Sequence, residues 1–471
     1  MELPAELLER LRSRGQQHLV AFWQELIESQ KAELIEQIEQ IDFELISSLL
    51  NEQRDLSPWA KLVGRAAAPP TANDPAREPA GARKRAEAAG RVALERGEVA
   101  VVLVAGGQGT RLGFDLPKGM LRLGPVSGRT LFQILIDLVL ARQAQHCRLI
   151  PVVIMTSPAT HAATVEYFAE NGRLGLEPEQ LEIVCQGTMP AVDRRTGHVL
   201  LAAKHRISAS PDGHGGMLAA IVRSGALDRL KSRGVRHLFY AQIDNPLVQL
   251  CDPATIGYHL EHESEMTTQV VRKTDPLQRV GNVVWVDGRL HVIEYSDLPD
   301  EAARQLDESG RLKLWAGNIA VHVFSLDFLD RVRSLSTTLP FHLALKKVPY
   351  VDPSGQLVTS QEPNAVKFER FIFDLLPAAR GAIVVEVDPS EGFAAVKNGL
   401  DSPTENVRTA QAAMIARDRR RLQACGFRLP EAVPIEIHPL LAHDEGELKR
   451  RAAEAALDQP AYLCPSPSSA F

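Results

Sequence analysis

The sequence has little of what cross-linked or metal-stapled folds are built from. It carries five cysteines in 471 residues (Cys147, Cys185, Cys251, Cys425 and Cys464), an odd number with no C-x-x-C. Neither a disulfide framework nor a cysteine zinc site fits that pattern, and reduced thiols in a cytoplasmic protein are the expectation. No stretch approaches ~18 uninterrupted apolar residues, so no membrane span is expected. Met1 to Arg12 lacks the basic start and continuous apolar core of a signal peptide. Positive charge is not in excess: 53 Lys and Arg against 59 Asp and Glu leave a net charge of −6. A broadly basic nucleic-acid surface is therefore not expected, whereas a phosphate-rich small ligand needs only a local positive site. The 14 histidines include no His-Glu-x-x-His spacing, and no Ser-His-Asp or Cys-His set offers itself. Internal repeats are absent too.

What is present is an ordinary globular composition over a length that suggests two or three packed units. The expected division is a helical N-terminal segment with a linker over 1–82, a main domain over 83–400 and a small C-terminal region over 401–471. Leu19, Phe22, Trp23, Leu26 and Ile27 recur at three-and-four spacing, as do Leu34, Ile35, Ile38 and Ile41. That predicts helices within 4–50, packed on the rest of the chain rather than offered to a partner. Residues 65–82 are rich in Ala and Pro without a period and read as a loop. Val99 to Val104 is a continuous apolar run that fits a strand buried on both faces, and Ile150 to Met155 is a second. Thr156 and Ser157 are candidate caps for a helix over Ala159 to Glu170. His237 to Ile243 reads as another strand. Asp287-Gly288, between Val283–Val286 and Leu290–Ile293, signals a type I′ hairpin. Glu405 to Cys425 reads as a helix and 465–469 as a frayed tail. Strands alternating with helices imply an α/β fold with a Rossmann-like, mostly parallel central sheet.

The most informative segment is Leu103-Val-Ala-Gly-Gly-Gln-Gly-Thr-Arg-Leu-Gly-Phe-Asp-Leu-Pro-Lys-Gly119. A buried strand runs into Gly106, Gly107 and Gly109, where no Cβ blocks a ligand and backbone N–H groups can face phosphate oxygens. Arg111 and Lys118 add positive charge of two kinds, a forked donor and a mobile point charge. The dinucleotide fingerprint fails, because Leu112 stands where its third glycine belongs. The Walker pattern fails as well, because Lys118 lies between Pro117 and Gly119.

Gly-Gly-Gln-Gly-Thr-Arg-Leu-Gly with Pro-Lys-Gly resembles the loop of the UDP-sugar pyrophosphorylases, most of all the UDP-N-acetylhexosamine branch. The similarity continues in order through about 15–445. It takes in Phe22-Trp23, Gln186-Gly-Thr-Met-Pro-Ala191, Pro211-Asp-Gly-His-Gly-Gly216, Gln242-Ile-Asp-Asn245 and Val292-Ile-Glu-Tyr-Ser296. Ala316-Gly-Asn-Ile-Ala320, Lys346-Lys-Val-Pro-Tyr350, Lys367-Phe-Glu-Arg-Phe371, Val396-Lys-Asn398 and Ile435-Glu-Ile-His-Pro-Leu440 follow.

The resemblance implies nucleotide-diphospho-sugar transferase topology and attack of a sugar 1-phosphate oxygen on the α-phosphorus of UTP, with pyrophosphate leaving. The nucleophile is already ionised, so positioning and charge neutralisation replace a general base. Arg111, Lys118 and Lys397 would act on the phosphates, with Lys367 a weaker candidate. Asp244, at the end of a buried strand, would hold Mg²⁺. Ala105, Gly106, Gly107, Gly109, Thr110, Gln186, Gly213, His214 and Gly215 would contact the nucleotide, Gln186 reading the uracil edge. Gly281, Glu294 and Asn318 would face the sugar. The chain departs from the family at His214, where Asn is usual, and at Pro246, Asn282 and Trp285. N-acetylglucosamine 1-phosphate is the expected co-substrate. Glucose 1-phosphate and a non-catalytic UDP-sugar-binding regulator are the alternatives. Oligomeric state is left open.

Overall fold

The computed structural model describes residues 1–52, 62–74, 78–337, 339–431, 433–442 and 445–465. The tail expected over 465–469 therefore lies, apart from Pro465, outside the described residues. Two compact units form, each from separate stretches of chain: 1–61, 186–219 and 336–374 in one, and 62–185, 220–335 and 375–471 in the other.

The larger unit is built on a nine-stranded sheet. Val99–Val104 lies between two parallel neighbours, Val152–Thr156 and His237–Gln242. That position explains its uninterrupted apolar run: Ala100, Val101, Val102 and Leu103 are completely buried. Each such aliphatic side chain contributes roughly 1.5–3 kcal/mol by leaving water. Leu181–Cys185 adds a fourth parallel strand beyond Val152–Thr156. The helices Leu131–His146 and Pro158–Glu170 make the parallel crossovers. The α/β expectation and its parallel core hold.

The other half of the sheet is mixed. Ala316–Ser325 runs antiparallel to His237–Gln242, and Met266–Arg272 runs antiparallel to Ala316–Ser325. Ala382–Glu386 is parallel to Met266–Arg272. Hence the carboxyl ends of Val99–Val104, His237–Gln242, Met266–Arg272 and Ala382–Glu386 share one edge with the start of Ala316–Ser325. The hairpin Asn282–Val286/Arg289–Ile293 joins that edge end-on, through the single pair Asn282–Gly317, and its strands run on past it. Asp287 and Gly288 both have positive φ, 47° and 82°, as the expected turn requires.

Among the described residues, the segment read as a loop over 65–82 is not helical before Ala82, yet it is tied down. Ala67 exchanges both backbone hydrogen bonds with Trp285, and the Asn73 carboxamide does the same with the Glu386 backbone. The helix expected over 405–425 is Val407–Ala424, capped by Asn406, which accepts the Thr409 N–H. It carries the C-terminal strands Ile435–Ile437 and Ala461–Leu463.

In the smaller unit the N-terminal helices Ala5–Ser13, Glu28–Glu39 and Phe43–Glu52 pack on Val192, Val199, Leu201, Ile207, Val366 and Phe368. The packing reading of this segment is thus the one the structure favours. One element differs from expectation. Residues 17–25 form two short 3₁₀ turns rather than an α-helix. Leu19, Phe22, Trp23 and Leu26 still bury their side chains, but Ile27, which precedes the next helix, is 64% exposed.

Helix Ala82–Glu95 and helix Pro253–Glu261 cross backbone to backbone. A Cβ on Gly257 would lie 1.7 Å from the Ala86 carbonyl oxygen, and one on Gly90 would lie 1.9 Å from that of Pro253. Gly257→Ala is expected to destabilise the larger unit by about 1–3 kcal/mol. A thermal midpoint within a degree of wild type would refute that close approach.

Candidate functional site

In the larger unit the expected phosphate residues meet at the shared edge. Val104 pairs with Gln242, and the Ile243 N–H donates to the Val104 carbonyl at 3.0 Å. Parallel pairing thereby sets Asp244 beside Ala105 and the start of the glycine loop. The strand following Val99–Val104 in sequence lies on one side of it and His237–Gln242 on the other. This is a topological switch point, where open sheets leave a crevice.

The loop is folded back by its own Pro-Lys-Gly. Pro117 bridges Gln108, and the Lys118 N–H donates to the Gly107 carbonyl at 3.1 Å. Gly119 is glycine because the Phe132 ring occupies the place of its Cβ, 2.2 Å away. The Ser157 hydroxyl donates to the Gly106 carbonyl at 2.7 Å, tying the loop to the next helix. The Gly109 N–H is engaged by Leu116, so that amide is committed to the loop itself. Gly107, Thr110 and Arg111 are exposed, Arg111 within the 3₁₀ turn Thr110–Leu112.

These ties bring the Lys118 Nζ to 3.5 Å from the Asp244 carboxylate, both side chains mostly buried. Asp244 also fixes the late lysine segment. Its carbonyl accepts the Val396 N–H at 2.9 Å, while the Asn245 carboxamide donates to Gly392 and accepts from Ala394. Lys397 follows directly, in a turn closed by its own N–H and that of Asn398 on the Glu405 carbonyl. A Cβ on Gly399 would lie 3.1 Å from the Arg111 carbonyl oxygen, so the two cationic segments are neighbours. Lys118 thus meets Asp244, and the backbone segments that carry Arg111 and Lys397 lie beside each other. Asn245, read in the sequence only as part of a motif, holds the Lys397 segment, and Ser157, read there only as a helix cap, holds the glycine loop. A small polar residue beside a motif gives no signal until its partner is known.

The sugar-side candidates converge at the same edge. The Asn318 N–H donates to the Gly281 carbonyl at 2.8 Å, and a Cβ on Gly281 would lie 2.8 Å from Glu294 Oε1. Ala316–Ser325 changes register between its Gln269 and Val270 partners, with Ala320 at φ 55°. Such a bulge re-aims side chains. Here the Ala320 N–H is turned onto Asn318 Oδ1 at 3.0 Å, which orients the carboxamide.

The remaining candidates lie in the smaller unit. Gln186 Nε2 donates to Asp212 Oδ1 and to the Gly213 carbonyl, at 3.1 and 3.2 Å. The glycines of 213–216 serve close packing. A Cβ on Gly213, whose φ is 86°, would lie 2.4 Å from the Arg370 carbonyl oxygen, and one on Gly215 would lie 2.7 Å from the Arg370 carbonyl carbon. His214 stacks on Phe371, with centroids 5.1 Å apart, and its Nδ1 accepts the Ile372 N–H at 3.2 Å. An imidazole can fill the acceptor role that an Asn oxygen would fill. Lys367 sits on the strand Ala365–Arg370. A cavity of about 820 Å³ in this unit, among Glu6, Arg10, Glu39 and Glu44, holds none of the candidates.

Among the described residues no group of three or more His, Cys, Asp or Glu side chains is placed to hold a metal ion, and no helix is long and apolar enough to cross a membrane. Asp244 nevertheless suits a hard cation that takes one protein carboxylate and completes its shell with ligand oxygens.

A sequence profile of the UTP–glucose-1-phosphate uridylyltransferase family matches residues 72–424. The UDP-N-acetylglucosamine pyrophosphorylase of Saccharomyces cerevisiae is 34% identical over 91% of this chain and 93% of its own. The human UDP-N-acetylhexosamine pyrophosphorylase-like protein 1 is 34% identical over 90% and 86%. Among solved structures, a UDP-N-acetylglucosamine pyrophosphorylase from Trypanosoma brucei superposes with a TM-score of 0.80 at 26% identity, covering 96% of both chains. One from Entamoeba histolytica gives 0.73 at 30% identity, over 81% of this chain and 95% of its own.

Gly213→Ala is expected to cost about 1–3 kcal/mol, combining positive φ with backbone overlap. Amide exchange should quicken over 211–216 and 370–372 while Val99–Val104 keeps its protection. Unchanged exchange at both loop segments would refute the clamp.

Proposed function

The chain belongs to the UTP–glucose-1-phosphate uridylyltransferase family, and we propose that it joins N-acetylglucosamine 1-phosphate to UTP, forming UDP-N-acetylglucosamine and pyrophosphate. It is a uridylyltransferase. The observation that carries the proposal is the convergence of Lys118, Asp244, Arg111 and the Lys397 turn on the glycine loop at the switch point. A binder with no chemistry to perform has no need of a carboxylate and three cations around a phosphate loop.

In the proposed reaction a phosphate oxygen of the sugar 1-phosphate forms a bond to the α-phosphorus. The bond from that phosphorus to the bridging oxygen breaks, and pyrophosphate carries the electron pair away. Arg111 and Lys118 neutralise the triphosphate and its leaving group, while Lys397 steadies the incoming sugar phosphate. Asp244 is the ligand for Mg²⁺, which when bound adds positive charge to the phosphate oxygens. Lys118 is held against Asp244 before substrate arrives. Ala105, Gly106, Gly107, Gly109 and Thr110, with Gln186, Gly213, His214 and Gly215, keep the nucleotide-contacting roles that the family resemblance implies for them. The ties that Gln186 Nε2 makes to Asp212 and Gly213 orient its carboxamide for reading a base edge.

The choice of sugar rests on Gly281, Glu294 and Asn318. A residue without a side chain at 281 leaves the Glu294 carboxylate room, and the oriented Asn318 amide suits an acetamide or hydroxyl oxygen. The curated relatives named for N-acetylglucosamine favour the same choice.

With UTP and Mg²⁺, pyrophosphate release is expected to be fastest with N-acetylglucosamine 1-phosphate. A higher kcat/KM with glucose 1-phosphate would overturn the sugar assignment. Asp244→Asn is expected to lower kcat by about a hundredfold or more with the thermal midpoint retained, and Lys118→Ala to lower it by about tenfold or more. Near-normal turnover of Asp244→Asn at saturating Mg²⁺ would sink the metal assignment.

A further inference from the structure

Met266–Arg272 ends at the shared edge, and the next residue, Lys273, is 4% exposed. A lysine so deeply buried is uncommon, because the ammonium gives up its hydration. Among the described residues it has no carboxylate within ion-pair distance. Its Nζ donates instead to Asn282 Oδ1 at 2.5 Å and to the Pro276 carbonyl at 3.3 Å. Burial depresses its pKa, with Asp275 pulling the other way. Asn282 is itself 1% exposed, and its Nδ2 donates, at the long end of the range, to the carbonyls of Val280 and Ile293 at 3.4 and 3.5 Å.

The sequence positions of these contacts matter. Asn282 follows Gly281, Ile293 precedes Glu294, and Gly317 precedes Asn318. Asn282 pairs with both Ile293 and Gly317 in the sheet. The stem of Lys273 packs behind Gly317, its Cγ 3.3 Å from where a Cβ would stand. Neighbouring residues in a strand face opposite sides of the sheet. Each sugar-facing candidate is therefore one residue away from a group that the Lys273–Asn282 pair holds on the reverse face.

We infer that Lys273 and Asn282 are positioning residues that set sugar selection, by fixing from behind the strand ends that present Gly281, Glu294 and Asn318. The inference rests on the sugar-side reading given above. Two polar residues sit where apolar packing would have served stability as well. They hold three backbone segments in one register, which loose aliphatic contacts would not.

The test is steady-state kinetics on the full chain with UTP and each sugar 1-phosphate. Asn282→Asp keeps an oxygen for Lys273 and adds a counter-charge, which preserves the fold, but it removes both Nδ2 donors. It should raise KM for N-acetylglucosamine 1-phosphate by about fivefold, the scale of one lost neutral hydrogen bond. KM for UTP should stay within about twofold and preference over glucose 1-phosphate should fall. The double variant Lys273→Met/Asn282→Leu leaves no unpaired ammonium, so it should fold and show the same sugar-selective defect. Glu294→Gln and Asn318→Ala serve as references. If they raise the sugar KM while Asn282→Asp and the double variant stay at wild type, the positioning role is refuted and the sugar site survives. If the references leave it unchanged, the sugar-site reading fails first. Equal rises in both KM values with a lower thermal midpoint would show a structural role only, and would equally overturn the inference.

Discussion

Parallel pairing between Val99–Val104 and His237–Gln242 is the constraint on which the larger unit depends. It fixes two chain ends side by side, one opening into glycines and the other into Asp244-Asn245. The segments that carry Lys118 and Lys397 are then hung from those two ends by backbone hydrogen bonds and by the Asn245 carboxamide. Lys118 is tied through Gly107, and the Lys397 turn through Asp244 and Asn245. Side-chain ion pairs at partly exposed positions would hold such groups weakly. Main-chain ties to fully buried strands hold them to within the fractions of an ångström that phosphate chemistry demands.

Much of this was legible in the letters. Continuous apolar runs marked the strands buried on both faces, and Asp-Gly marked the hairpin through its need for positive φ. The glycine loop stood out because strand, glycines, Arg and Pro-Lys-Gly occur together, and its basis is now visible in the Phe132 ring against Gly119. Met266–Arg272 was not legible. Its Thr267, Thr268 and Gln269 look like surface residues, yet all three are buried. They are satisfied by His259, His322 and Thr255, residues that sequence proximity does not point to. Lys273 was hidden for the same reason, since a lysine reads as solvated until its partners are known.

Periodicity misled at one point and was incomplete at another. The three-and-four spacing correctly reports that Leu19, Phe22, Trp23 and Leu26 face inward, though not Ile27, and 3₁₀ turns satisfy it nearly as well as an α-helix over so short a span. Chain order also says nothing of how 1–61 assembles with 186–219 and 336–374. That assembly is made by aliphatic contacts and by pairing such as Val192 with Val366, between residues far apart in the chain. No local pattern encodes it.

The stretch over 62–74 has a consequence of its own. By taking up the outer backbone groups of Trp285 and of the Ala382–Glu386 strand, it sheathes two margins of the sheet that would otherwise present bare N–H and C=O rows. Bare margins recruit strands from other molecules and seed fibrous association. Pro69 and Pro70 within this strap carry no N–H with which to extend the ladder further. The segment that looks least structured in the sequence thus helps to keep this enzyme's copies from adhering to one another.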